Sequence, residues 1–90
     1  MISFREAFIT AKIQDQDIDS CIEYEKAYIF AGGYDEMIGG WEREPVGVLK
    51  DTGRTFSMAE LDGIDMGRQI REFMIDDDGS LAGFWFPIVT

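Results

Sequence analysis

Asp51-Thr52-Gly53 follows the apolar run Val46-Gly47-Val48-Leu49. In aspartic proteases this triplet carries the catalytic carboxylate, one of two aspartates that share a proton in a desolvated dyad. The stretch from Glu36 to Trp41, "EMIGGW", looks like the glycine-rich flap of such an enzyme, and 90 residues is about one retroviral subunit. The order is wrong, however, because in those enzymes the flap follows the catalytic segment. Lys50 and Arg54 flank the triplet and suit a solvated turn, and the apolar-apolar-Gly segment that buttresses the dyad is missing near the C-terminus. Asp51-Thr52-Gly53 therefore reads as a hairpin turn, and no catalytic residue is assigned.

The other chemistries thin out quickly. The chain has no histidine, which removes Ser-His and Cys-His dyads and every His-containing metal site. Its one cysteine, Cys21, has no cationic cluster nearby in sequence to lower its pKa and reads as a core or edge residue. In "MIDDDGSL", an EF-hand register with Gly79 at loop position 6 would put Met74 at position 1 and Trp85 at position 12, where carboxylates are required. The run Asp76-Asp77-Asp78 is read as a solvated turn, with a surface divalent-cation site as the alternative. Gly32-Gly33 and Gly39-Gly40 lack the following lysine and the strand-to-helix setting of a phosphate loop. No cofactor or metal is expected.

Composition sets the remaining bounds. A chain of 90 residues makes one domain, residues 1–90, and buries only about 60 to 65% of its unfolded surface. Apolar residues are 46% of the chain, enough to fold. The net charge of -10 repels phosphate backbones and anionic lipid, so neither nucleic acid nor membrane is expected as a partner. A basic protein is electrostatically easier. No run approaches the roughly 20 apolar residues of a membrane span. The N-terminus lacks a signal peptide's basic and apolar regions, and with the unpaired cysteine this leads to an expected cytoplasmic location.

The elements that must position any site follow from periodicity and capping. Ser3 and Glu6 form a capping box, and Phe4, Ala7, Phe8 and Ala11 recur at helical spacing, predicting an amphipathic helix that ends near Ile13 or Gln14. Residues 21–31, "CIEYEKAYIFA", read as one long strand or two short ones with a break near Glu25-Lys26. "GGYDEMIGGW" reads as a glycine-rich loop. "PVGVLK" and "RTFSM" are the arms of a hairpin at Asp51–Gly53, closed by a three-residue loop with a left-handed glycine. Ser57 and Glu60 start a second helical segment. Beyond it, Gly63 and Gly67 oppose a long helix, although Met66, Ile70 and Phe73 line up at helical spacing; residues 64–75 are left as helix or strand. A second hairpin turning at Asp77-Asp78-Gly79 leads into an aromatic strand ending at Pro87. The fold class is thus α+β: an N-terminal helix, a small, mainly antiparallel sheet, a second helical segment and a C-terminal aromatic strand.

"KAYIFAGG" and "EPVGVLKDTGRTFSM" resemble segments of small bacterial α+β proteins of the YrhB and toxin-immunity type, over roughly the first two thirds of the chain. Gly47, where such hairpins prefer valine or isoleucine, and the aromatic C-terminus depart from that pattern. The resemblance implies a protein that binds and neutralises another protein. The expected function is a non-enzymatic, immunity-like or inhibitor-like binding module. Asp17, Asp19, Glu23 and Glu25, with Asp15 nearby, would steer a basic partner, and Tyr34 and Trp41 would anchor it. Trp41 capping the core is an equal reading, and the charge merely keeping the protein in solution is a strong rival. The alternative class is a homo-oligomeric structural or phage-derived subunit joined through Phe84, Trp85 and Phe86. An enzyme using paired carboxylates or tyrosine ranks last.

Overall fold

The computed structural model describes residues 1–32, 34–35, 37, 39–41, 44–75 and 81–87. Helix α1, Phe4–Gln14, begins where the capping box places it: the Glu6 N–H donates to Ser3 Oγ at 3.2 Å and the Ser3 N–H to Glu6 Oε1 at 3.4 Å. Such a cap contributes about 1 kcal/mol. Strands β1 (Ser20–Tyr24) and β2 (Ala27–Ala31) are the two short strands, with the break at Glu25-Lys26. β3 (Tyr34–Asp35) and β4 (Gly40–Trp41) pair as a small separate ladder, so the glycine-rich stretch is a hairpin where a loop was expected.

β5 (Val46–Leu49) and β6 (Thr55–Phe56) form the expected hairpin, with β6 only two residues long. The loop is longer than predicted, Lys50–Gly53: the Leu49 N–H donates to Arg54 O and the Gly53 N–H to Leu49 O. Gly53 has φ +75°, the left-handed residue that closes this loop. A 3-10 helix follows over Met58–Gly63, with the Ser57 N–H donating to Glu60 Oε1. Then come β7 (Gln69–Ile75) and β8 (Leu81–Pro87).

Residues 69–75 are strand, and the helical alignment of Met66, Ile70 and Phe73 was coincidental. Gly67, at φ +74°, lets residues 66–68 run beside the β1–β2 turn, where Met66 O and Arg68 O accept from the Lys26 and Glu25 N–H groups. β7 and β8 are antiparallel, as expected of a second hairpin. Its predicted turn at Asp77–Gly79 lies outside the described residues.

Every ladder among the described residues is antiparallel, and the main sheet has the order β6-β5-β2-β1-β7-β8. α1 covers one face. Ala7, Phe8 and Ala11 meet Cys21, Tyr28, Phe30, Val46, Val48, Phe73 and Ile75 there, with Phe4 set among Tyr28, Phe30 and Phe73 at ring separations of 5.4 to 5.8 Å. The chain from β6 to β7 crosses the other face, where Met58, Leu61, Ile64 and Met66 cover Ala27, Ile29 and Phe56. Gly47 now has a reason: a Cβ there would lie 2.3 Å from the Phe56 ring, so glycine makes room for the aromatic of this second core. Among the described residues no helix is long and apolar enough to cross a membrane.

A candidate partner-binding end of the sheet

Asp17 and Asp19 flank Ile18, which is 2% exposed and belongs to the helix-side core. Ile18 therefore pins the α1–β1 turn, and both aspartates are exposed. The turn is fixed from three further sides. The Asp17 N–H donates to Asp15 Oδ1 at 3.0 Å, the Asp19 N–H to Ala31 O at 3.0 Å, and the Ile75 N–H to Asp19 O at 2.9 Å. Gly32 completes the seat, since a Cβ there would lie 2.0 Å from Asp17 O. The side chains are thus offered to solvent on a backbone held by β2 and β7.

Several other segments reach this same end of the sheet. α1 ends here, and Gln14 and Asp15 line a cleft of about 350 Å³ with Glu44, Pro45, Thr55 and Glu60. The chain leaves β2 at Ala31 for the β3–β4 hairpin and re-enters the sheet at Val46, which pairs with Phe30. Tyr34 and Trp41 face each other across that hairpin's register, although their side chains lie outside the described residues. Ile75, bonded to Asp19, immediately precedes Asp76-Asp77-Asp78, which also lie outside the described residues.

The opposite end gathers cations and pairs them. Lys26 meets Asp65 at 2.9 Å and Arg68 meets Glu25 at 3.7 Å. Lys50 and Arg71 both grip Glu23, at 2.7 and 2.6 Å. Two expectations are corrected here. Glu23 is 9% exposed and neutralised inside the helix-side core, so it is not a steering charge. Glu25 is exposed but sits beyond the far end of β1, about 20 Å along the strand from Asp19, and accepts from the Arg68 N–H at 2.6 Å. The acidic residues that look contiguous in sequence divide between two ends.

The buried cluster was not legible in the sequence. Lys50, expected in a solvated turn beside the exposed Asp51, is buried, with its ammonium 4.8 Å from the Tyr28 ring centre. Burial would raise the Glu23 carboxyl, but hydrogen bonds from Lys50 and Arg71 outweigh it and hold the group below its usual range. Burial pushes the neighbouring Cys21 thiol well up, and the Glu23 charge adds to the shift. Cys21 is accordingly an inert core residue, as expected. The one available signal was that β1's period of two puts Cys21 and Glu23 on the same face.

Among the described residues no group of His, Cys, Asp or Glu side chains could hold a metal ion. In the acidic cleft Glu44 accepts from the Met58 N–H at 2.8 Å and Glu60 is paired with Arg54, so these carboxylates serve the fold. What the arrangement offers is a pinned turn with exposed carboxylates beside an exposed stretch of helix. No family model, curated protein or solved structure matches this chain.

Proposed function

We propose that this chain is a non-enzymatic protein-binding module of the immunity or inhibitor kind, whose acidic end captures a basic partner. The observation that carries the reading is the segregation of charge by topology. Glu23 and Glu25 are held by Lys50, Arg71 and Arg68 at one end, while Asp17 and Asp19 are exposed on a fixed turn at the other. A field of this form steers a cationic surface toward one site and speeds capture at low salt. Asp17 and Asp19 are the steering groups. Tyr34 and Trp41, on the hairpin that leaves from the same end, are the proposed anchors.

Affinity capture from native lysate at low salt, washed with rising salt and read by mass spectrometry, tests this. The reading expects a basic protein retained at low salt and released as salt rises. Recovery of the bait alone would sink it.

A further inference from the structure

The face of the sheet turned away from α1 carries an apolar cleft of about 180 Å³, set between β1–β2 and the chain that crosses from β6 to β7. Ile29 and Ala31, two apart on β2, are buried and form its floor, and Ile22 stands opposite Ile29 in the ladder. Met58, Leu61 and Met66 of the crossing chain form the facing wall, and they are only half-buried, so the cleft opens to solvent. That wall is tied at both ends. The Met58 N–H donates to Glu44 Oε1 at 2.8 Å, Met66 O accepts from the Lys26 N–H at 2.9 Å, and Asp65 pairs with Lys26. The cleft is therefore preformed, as small-molecule sites generally are.

Its chemistry narrows what it can hold. Among the described residues no lining side chain is charged, and Tyr24 alone brings a hydroxyl. The backbone groups of β1 and β2 beneath it are engaged in ladders with each other, with β7 and with β5. A charged or strongly hydrogen-bonding ligand would find its polar groups unpaired there, which burial penalises. Size narrows the class again, since an apolar cavity of about 150 Å³ takes up benzene. Two methionines in one wall favour a ring, because thioether sulfur packs well against aromatic edges. The geometry points to a binding site for a small, uncharged aromatic molecule of one ring. This assignment uses no charge and none of the steering residues, so it stands or falls separately from partner capture.

Toluene and benzylamine, which carries the same ring on an ammonium at neutral pH, are titrated into the full chain and followed by methyl and amide shifts. Toluene should give saturable shifts at the methyls of Ile29, Met58, Leu61 and Met66. Benzylamine should bind there at least about tenfold more weakly despite the chain's net charge of -10, because its ammonium would have to leave water. Leu61→Trp, which fills the cleft from its half-buried wall, should abolish the toluene shifts at Ile29. Failure of toluene to saturate, shifts that map elsewhere, or equal binding of benzylamine overturns the assignment, and the native chain alone decides these points if Leu61→Trp does not fold. Unchanged Ile29 shifts in folded Leu61→Trp overturn it as well. Tighter binding of N-acetylphenylalaninamide than of toluene would also overturn it, by making a partner's aromatic side chain the occupant.

Discussion

The two ends of the sheet treat charge in opposite ways. At the β1–β2 turn end, Glu23 is drawn inside and held by Lys50 and Arg71, and exposed Glu25 and Asp65 are matched to Arg68 and Lys26. At the α1–β1 turn end, Ile18 takes the buried position and pushes its neighbours Asp17 and Asp19 outward. Glu23 is buried and ion-paired where Asp17 and Asp19 are exposed, and the deciding factor is which side chain is turned inward, Glu23 at one end and Ile18 at the other. Net charge alone could not distinguish the two; topology does.

The largest break in this contrast is at the paired end. Glu23→Ala should cost about 3 kcal/mol in chemical denaturation, because it strands the buried Lys50 ammonium without its carboxylate. The same cluster sets an acid limit. The folded-state value of Glu23 lies below its unfolded one, so its stabilisation is present above the ordinary glutamate range near ~4.3 and is lost as pH falls through the folded value. Melting curves on acid titration should show that loss in the native chain and not in Glu23→Gln.

Next in size is Gly32→Ala, which sets a methyl group against the Asp17 carbonyl and disturbs the acidic turn at a cost of roughly 1 to 3 kcal/mol. Unlike the Glu23 change, it should also weaken partner capture, measured at a temperature where the variant is folded. Gly53→Ala, at the opposite end, should cost about 1 kcal/mol for its left-handed backbone and leave capture untouched. The smallest effect on stability belongs to Asp17→Asn with Asp19→Asn, within about 0.5 kcal/mol of the native chain by thermal melting. Their effect belongs to the rate of capture at low salt.

The sequence made the secondary structure plain wherever local chemistry decides it. Ser3 with Glu6, Gly53 in its turn and the break at Glu25-Lys26 each act within a few residues. It misled where partners are distant. Nothing near Glu23 announces Lys50 or Arg71, 27 and 48 residues away, and with both faces of the sheet covered the alternation of β1 does not say which face is wet. Residues 64–75 failed for a related reason: Met66 and Phe73 are apolar because they enter cores on opposite faces of a sheet, which mimics one face of a helix. Of the residues proposed to steer a partner, Asp17 and Asp19 are exposed, and exposure next to a buried isoleucine is again a local property.

The most direct test of charge placement compares two variants with the same loss of formal charge. Asp17→Asn/Asp19→Asn removes it from the acidic end, and Glu25→Gln/Asp65→Asn from the paired end. Partner retention is followed for each, and for the native chain, across a salt gradient beginning at low ionic strength, where the Debye length is about 30 Å at 0.01 M. The account predicts that only the acidic-end variant releases the partner at lower salt and captures it more slowly. Equal losses from the two variants would contradict it, since the interaction would then read the chain's total charge and not where the fold has put it.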